Sequence, residues 1–330
     1  MTLKDDFLSD RWVEQTCAAL ILCNTLGLLA KHHWLFDLLS NFKPQYFVGS
    51  LILTAICLFY RQMSLAALMF VLGISLFVEI QSVNSRPFAK PPELKPNFTV
   101  VQYNKHFANH DYKTIKPWIE EQDADVVLIN ESLWDSIEDI KSDFKQEFPY
   151  KFPYNRLERF GDIFVLSKWP MLVTPLEMPF DDQIFYASKI VIRKNDLRQV
   201  VIYAYHAMTP VGRNDFQRRN YELGTLADIV NAQGRKTVIM MGDWNMTPYS
   251  PQFKQILKTT GLNYQNYDLF PQTTWPSFNF FGFLKIPIDQ IIYSNRLDLI
   301  SIKSGPASHS DHNSLVAKFH VPKDGENVRD

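Results

Sequence analysis

Three stretches near the start of the chain contain no charged side chain: residues 15–30, 44–60 and 62–78. A helix rises about 1.5 Å per residue, so about 17–25 mostly apolar residues cross a bilayer, and these stretches lie at the short end of that range. None of them alternates apolar and polar residues in a way that would give a helix one wet face. The sequence therefore predicts a membrane anchor of two or three transmembrane helices over residues 1–85, in contact with the lipid bilayer through residues 13–78.

The last two of these stretches are separated only by Arg61, which predicts a tight helical hairpin turning at Arg61 and Gln62. A buried hairpin inside a soluble protein is the alternative, because a helix in a protein core is equally apolar on all sides. Lys and Arg residues are divided almost evenly among the flanking segments, so the positive-inside rule does not fix the orientation.

A proline-rich segment at residues 86–97 marks the predicted domain boundary. Closely spaced prolines stiffen a chain, so this segment is expected to be a linker. Residues 98–322 form the predicted catalytic domain, and residues 323–330 form a polar tail. All three cysteines precede the boundary, so the domain has neither a disulfide framework nor a thiolate zinc site.

The segment after residue 90 is slightly acidic. It contains 27 of the 34 Lys and Arg residues and 29 of the 35 Asp and Glu residues, a net charge of −2. This balance argues against a protein held on nucleic acid by its overall charge. A local basic groove stays open as an alternative, with Arg156, Arg159, Arg213, Arg218 and Arg219 as its candidates.

Strand-like apolar runs alternate with helix-like segments through residues 98–322. The predicted strands are 98–103, 125–130, 163–166, 188–192, 200–205, 237–241, 288–293 and 315–319. The predicted helices are 112–122, 133–147, 214–232 and 250–260. This alternation, with many short strands, predicts a mixed α/β sandwich.

Polar side chains of catalytic type stand at the ends of several of these strands. They are Asn104, Glu131, His206, Asp243, Asn245, Asp289, Asp311 and His312. Each has an ordinary interpretation on its own, as a turn residue, a helix cap or a hydrogen-bonded strand end. Because strand ends meet at one edge of a sheet, their joint occurrence indicates a site at that edge.

The order of these motifs resembles the endonuclease/exonuclease/phosphatase superfamily, which includes deoxyribonuclease I-like nucleases, apurinic endonucleases, inositol-polyphosphate phosphatases and sphingomyelinases. Residues 242–245 match its Gly-Asp-hydrophobic-Asn motif, and residues 310–312 match its Ser-Asp-His motif. The resemblance implies a four-layer α/β sandwich, in which two packed mixed β-sheets are flanked by helices. The apolar N-terminus is most similar to the membrane-anchored bacterial branch. That similarity implies a multi-pass protein of the bacterial inner membrane with its catalytic domain on the periplasmic side.

The resemblance also implies a set of metal ligands for Mg²⁺ or Mn²⁺, namely Asn104, Glu131 and Asp311. Carboxylates suit such hard cations, which bind few protein ligands and keep several waters. Many metal-dependent members have Asp or Asn two residues after the first-strand Asn, whereas this chain has His106. This departure favours a single metal ion.

The catalytic residues implied by the resemblance are His206, Asp243, Asn245, Asp289 and His312. Asp243 and His312 would activate water, and Asp289 would orient the imidazole of His312. Asn245 would donate a hydrogen bond to the phosphoryl group, and His206 would act as a general acid or contact phosphate. The general base is not assigned between Asp243 and His312.

Arg159 and Arg218 are the candidate substrate-binding residues, because a guanidinium pairs well with phosphate oxygens. Solvated surface positions are the alternative for both.

The predicted function is hydrolysis of phosphodiester bonds by a membrane-anchored, divalent-metal-dependent enzyme of nuclease type. A lipid head-group phosphatase or sphingomyelinase-like phospholipase is the alternative, and a catalytically inactive membrane binding protein is a third. Arginines around the site would favour a polyanionic substrate such as nucleic acid, and exposed apolar loops would favour a lipid. No obligate protein partner is inferred.

Overall fold

Two mixed β-sheets form the centre of the computed structural model, which describes residues 3–132, 134–153, 162–234 and 236–326. The strands are β1 (Phe98–Asn104), β2 (Val126–Asn130), β3 (Tyr150–Phe152), β4 (Phe164–Ser167), β5 (Met171–Phe180), β6 (Gln183–Ile192), β7 (Val200–Ala204), β8 (Thr237–Asp243), β9 (Asp289–Tyr293), β10 (Asp298–Ser304) and β11 (Leu315–His320). The first sheet has the order β10-β11-β1-β2-β4-β3, and the second has the order β5-β6-β7-β8-β9.

The helices lie before and between these strands. They are α1 (Leu3–Gly27), α2 (Trp34–Ser40), α3 (Lys43–Phe59), α4 (Met63–Ser82), α5 (Lys116–Glu121), α6 (Trp134–Asp143), α7 (Arg213–Ala232) and α8 (Pro251–Thr260).

The two sheets pack face to face. Successive strand residues point to opposite sides of a sheet, so every second residue of each strand faces the other sheet. Val100 and Leu128 of the first sheet share a buried core with Ile202 and Ile239 of the second. The alternate residues of the same strands, such as Val101, face outward.

The outer faces of both sheets are covered by helices. Val101 and Tyr103 pack with Ile119 of α5 on the outside of the first sheet. Val201 and Tyr203 pack with residues of α7 and α8 on the outside of the second. The predicted four-layer α/β sandwich is therefore confirmed.

The sequence patterns did not predict β3, β5 and β10. β5 was not predicted because Pro175 and Pro179 interrupt its sequence pattern, and proline cannot donate a hydrogen bond to a neighbouring strand. Proline is tolerated here because β5 is an edge strand of its sheet in the described structure, with β6 as its neighbour. The predicted helix over 133–147 is shorter in the structure, where α6 ends at Asp143.

Helices α3 and α4 form a hairpin, and the short turn between them includes Arg61 and Gln62 as predicted. Among the described residues, α4 is the single continuous helix that is long and apolar enough to cross a bilayer. A second span results if α2 and α3, which meet at 62°, form one broken helix. α1 does not meet the same criterion and has charged residues through its first half.

The N-terminal helices, α1 to α4, pack against one another, and side chains of α2, α3 and α4 contact the rest of the chain directly. Ile80 and Val83 belong to the same buried cluster as the α7 and α8 side chains. Gln81 donates a hydrogen bond to the carbonyl of Leu269 at 3.0 Å. This contact precedes the proline-rich segment at 86–97, so the helices and the sandwich touch before the predicted linker begins.

Gly242, at the end of β8, has no room for a side chain. Its φ is +144°, and an added Cβ would lie 1.8 Å from the carbonyl oxygen of Tyr205. Gly242→Ala is therefore expected to reduce the free energy of unfolding by about 3 kcal/mol or to prevent folding. The thermal unfolding midpoint measures this loss.

Gly224→Ala is the matched control, because this helical glycine has its nearest neighbouring atom at 3.6 Å. Alanine is favoured over glycine in a helix interior by about 1 kcal/mol, so the control is expected to keep or raise the midpoint. Equal losses in the two variants would contradict the steric argument.

Candidate active site

Strands from both sheets end at one common edge. β1 and β2 run parallel, with Asn104 opposite Asn130. β7 and β8 also run parallel, and the last residue of β8, Asp243, lies opposite the first residue of β9, Asp289. This arrangement brings most of the predicted site residues together.

Asp243 lies at the centre of this edge and is 1% exposed. Its Oδ2 atom lies 3.7 Å from Nε2 of His206 and 3.6 Å from Nε2 of His312. The same oxygen accepts a hydrogen bond from Nδ2 of Asn104 at 3.0 Å. Burial and the nearby charge of Asp289 raise the pKa of Asp243 to about 6, although both imidazoles act in the opposite direction.

His312 is held by Asp289, as the sequence predicted. Nδ1 of His312 lies 2.9 Å from Oδ2 of Asp289. The other Asp289 oxygen accepts a hydrogen bond at 2.7 Å from the buried Gln102, a residue that sequence reasoning missed. Burial opposes the charging of His312, but Asp289 and Asp243 outweigh it and raise the pKa of His312 to about 9.

His206 is held by a second carboxylate, Asp162, which sequence reasoning also missed. Nδ1 of His206 lies 2.6 Å from Oδ2 of Asp162, and Nε2 lies 3.9 Å from Oε1 of Glu131. Burial disfavours the imidazolium, yet Asp162, Asp243 and Glu131 together raise the pKa of His206 to about 10. In return, the charge of His206 outweighs burial and holds the pKa of Asp162 below its ordinary value.

Glu131 directly follows β2 and has a left-handed backbone, with φ +56°. Its Oε1 accepts a hydrogen bond from Nδ2 of Asn104 at 2.9 Å, and its Oε2 accepts one from the backbone N–H of Phe107 at 2.9 Å. Oδ1 of Asn104 accepts from the backbone N–H of His106. Asn104 thus turns its amide nitrogen toward both carboxylates, and its role as a metal ligand stays a prediction.

Two clusters in the described residues have a donor set that fits a hard divalent cation. One joins Glu131, His206 and Asp243, and the other joins Asp243, Asp289 and His312, each with ligand atoms within 4.8 Å of one another. Carboxylate oxygens are the donors that Mg²⁺ prefers. Of these cluster residues, Glu131 is the one that the sequence indicates as a metal ligand, and that assignment stays a prediction.

Asp311 stands outside both clusters. Its Oδ2 accepts a hydrogen bond from Nε1 of Trp275 at 3.1 Å. Its Oδ1 is buried without a hydrogen-bond partner in the described structure, which leaves that oxygen available to a cation or water.

Asn245 has a left-handed backbone, with φ +49°. Its backbone N–H donates to Oδ1 of Asp243 at 2.9 Å, and its Nδ2 donates to the carbonyl of Ala207 at 2.9 Å. These bonds close the turn after β8 and hold the Asn245 amide beside the site.

The predicted arginines lie in different environments. Arg218 lines a cleft of about 360 Å³ together with Glu131 and His206. Its guanidinium lies 3.3 Å from the ring centroid of Phe185 and donates to Glu222. Arg156 and Arg159 lie outside the described residues. Arg219 is fully buried, so it does not line a basic groove.

Exposed apolar side chains lie in the segment that follows Trp275. Phe278 and Phe283 are 59% and 74% exposed. The segment is fixed to the site by Trp275 through Asp311, and to the start of α3 by Gln45, whose Nε2 donates to the carbonyl of Lys285.

Residues 101–312 match the family model described as Endonuclease/Exonuclease/phosphatase family. The chain belongs to this family. No curated protein sequence matches the chain.

Solved structures share the fold at low identity. An endonuclease/exonuclease/phosphatase from Beutenbergia cavernae is 16% identical, with a TM-score of 0.54 over 69% of this chain and 72% of that one. Sphingomyelinase C from Streptomyces griseocarneus is 15% identical, with a TM-score of 0.52 over 68% and 99%. A beta toxin mutant from Staphylococcus aureus with bound magnesium ions is 18% identical, with a TM-score of 0.51 over 67% and 99%. These similarities establish the fold.

The Asp162–His206 pair predicts a specific dependence of stability on pH. Because folding raises the pKa of His206 to about 10, its contribution is complete below the ordinary pKa of 6.5 and is lost as pH rises toward 10. The difference in thermal unfolding midpoint between the wild type and Asp162→Asn is therefore expected to shrink over this interval.

Asp228→Asn is the control, since Asp228 is an exposed carboxylate of α7. Its difference from the wild type is expected to stay constant. A wild-type minus Asp162→Asn difference that is the same at pH 6 and pH 10 would contradict the pairing.

Proposed function

We propose that this protein is a divalent-metal-dependent hydrolase of phosphodiester bonds. The observation that supports this most strongly is the pair of imidazoles on either side of Asp243, each held by its own carboxylate. Paired groups of this kind can accept and donate protons at the two ends of a reacting phosphate.

The water-activating side of the site consists of Asp243, His312 and Asp289. With its pKa near 6, Asp243 has the basicity to take a proton from an attacking water near neutral pH. Nε2 of His312 lies 3.6 Å from Oδ2 of Asp243, and Asp289 fixes the orientation of that ring. The water oxygen forms the new bond to phosphorus as its proton passes to the carboxylate.

The leaving-group side consists of His206 and Asp162. His206 is an imidazolium at neutral pH, because its pKa lies near 10, and Nε2 faces the site. It donates its proton to the ester oxygen as the bond from phosphorus to that oxygen breaks, which releases an alcohol and a phosphomonoester. A divalent ion held by Glu131 would neutralise charge on the phosphoryl oxygens as a Lewis acid, and Asn104 and Asp311 stay its further proposed ligands. Asn245 and Arg218 are the proposed partners of the remaining phosphate oxygens.

Membrane anchoring remains part of the proposal. More than half of the large apolar side chains that are exposed in the described structure lie in residues 12–78, about a fifth of the chain. A soluble protein rarely exposes so large a contiguous apolar surface, whereas a bilayer covers it. The proposed location is the bacterial inner membrane with the catalytic domain on the periplasmic side, a single metal ion at the site and no obligate protein partner.

The catalytic assignments predict a loss of activity without a loss of fold. Asp243→Asn and His312→Asn are each expected to reduce hydrolysis of bis(p-nitrophenyl) phosphate by about 10²–10⁴-fold, because each removes a proton-transfer group or its support. The rate is measured with full-length protein in detergent and Mg²⁺, beside the thermal unfolding midpoint.

Asp298→Asn and His320→Asn are matched controls on β10 and β11, outside the site. They are expected to keep the wild-type rate. Full activity in Asp243→Asn and His312→Asn would refute the assignment.

A lipid head group is the second candidate substrate, and the exposed apolar segment after Trp275 favours it. Phe278 and Phe283 lie on a segment that is hydrogen-bonded to the predicted site residue Asp311 and to the start of α3. An enzyme acting at a bilayer buries such side chains in the interface.

Phe283→Ser is therefore expected to lower hydrolysis of phospholipid in mixed micelles at least about fivefold, while the rate on soluble bis(p-nitrophenyl) phosphate stays unchanged. Burial of one phenylalanine stabilises binding by roughly 1.5–3 kcal/mol, which is the basis for this factor.

Leu172→Ser is the control, because Leu172 is 65% exposed on the edge strand β5. Faster cleavage of plasmid DNA than of any phospholipid, with no effect of Phe283→Ser, would favour the nuclease instead.

A further inference from the structure

Arg219 and Asp37 form a buried ion pair between the N-terminal helices and the sandwich. Nη1 of Arg219, in α7, lies 2.8 Å from Oδ2 of Asp37, in α2. The side chain of Arg219 is 0% exposed and that of Asp37 is 2% exposed. A charge buried to this extent requires an opposite charge, and among the described residues Asp37 is the carboxylate paired with Arg219.

The same guanidinium contacts the turn that contains the site residues. Nη1 of Arg219 donates a hydrogen bond to the backbone carbonyl of Asn245 at 3.0 Å. Asn245 in turn donates its backbone N–H to Asp243. Three contacts, through Arg219 and Asn245, therefore link Asp37 to Asp243 at the centre of the site.

Two further contacts join α2 and its end to the same segment. Oγ of Ser250 donates to Oδ1 of Asp37 at 3.0 Å. Asn41, just after α2, accepts hydrogen bonds at Oδ1 from the backbone N–H and the hydroxyl of Thr247, at 3.3 and 2.9 Å. Contacts from α2 and from Asn41 thus hold the segment from Asp243 to Ser250 in place.

We propose that Asp37 is a positioning residue for the reaction, acting through Arg219 on the turn at Asn245, so that the N-terminal helices complete the catalytic site. Left-handed residues such as Asn245 are costly to hold, and a turn built on them keeps its geometry only where its surroundings fix it. Small displacements of a catalytic group reduce turnover strongly. This inference rests on the proposed function for its kinetic consequence, but its structural consequence does not depend on that function.

The test compares Asp37→Asn with Glu79→Gln in the full-length protein. Glu79, in α4, pairs with the buried Lys43 at 2.9 Å and with Lys254 of α8, so it also joins the N-terminal helices to the sandwich. It makes no contact with the turn at Asn245 in the described structure. Both variants neutralise the carboxylate that pairs with a buried cation, and both are expected to lower the thermal unfolding midpoint.

Only Asp37→Asn is expected to change the site. We expect its kcat on bis(p-nitrophenyl) phosphate to fall roughly ten- to hundredfold with KM changed less than about threefold. We also expect faster hydrogen–deuterium exchange in the peptide spanning residues 243–250, whereas Glu79→Gln keeps wild-type kcat and wild-type exchange there.

The double variant Asp37→Leu, Arg219→Met separates positioning from stability. Apolar residues of similar volume often replace a buried ion pair without loss of stability, so its unfolding midpoint is expected to recover. Its kcat is expected to stay low, because the carbonyl of Asn245 has lost its donor.

The inference is overturned if Asp37→Asn and Glu79→Gln lower kcat and speed exchange equally, or if the double variant regains full kcat. If the wild type hydrolyses no phosphate ester, the proposed function fails instead. The exchange of residues 243–250 in Asp37→Asn still decides whether α2 holds the turn.

Discussion

The face-to-face packing of the two sheets is the constraint on which the site depends. The apolar inner faces, with Val100 and Leu128 against Ile202 and Ile239, fix the sheets relative to each other. This packing places the ends of β1, β2, β7 and β8 and the start of β9 at one edge. Residues more than a hundred positions apart in the chain, such as Asn104 and Asp243, meet there only because the core between the sheets aligns their strands.

Several charged side chains are buried at this edge, and each imidazole there lies beside a carboxylate of opposite charge. His312 is paired with Asp289 and His206 with Asp162. Both imidazoles therefore have pKa values well above the ordinary value for histidine. Asp243, between them, is less acidic than an ordinary aspartate. Groups whose pKa values are pushed apart in this way divide the acid and base roles of a reaction between them. Outside the site, the buried charge of Arg219 is also compensated by a partner, Asp37 of the N-terminal helices.

The sequence predicted the parts of this structure that depend on local pattern. The four-layer sandwich and the meeting of Asn104, Glu131, His206, Asp243, Asp289 and His312 at one edge followed from strand periodicity and the resemblance to the family. Asp162 escaped, although it directly precedes a predicted strand, because its role depends on a ring 44 positions away. Arg219 was a candidate for a basic groove, and its burial against Asp37 is a long-range contact that no local pattern encodes. The docking of the N-terminal helices on the sandwich was missed for the same reason: apolar composition predicts burial or a bilayer, but not the polar contacts at the helix ends.

The central claim is that the carboxylates and imidazoles at this edge form a metal-dependent site for phosphodiester cleavage. The measurement that tests it most directly is the rate of bis(p-nitrophenyl) phosphate hydrolysis by the full-length protein as Mg²⁺ is removed with EDTA and restored, in parallel with titration of Mn²⁺ binding. The account predicts that chelation abolishes turnover, that Mg²⁺ or Mn²⁺ restores it, and that Glu131→Gln loses both turnover and Mn²⁺ binding. Turnover that persists in EDTA, or Mn²⁺ binding that is unchanged in Glu131→Gln, would contradict it.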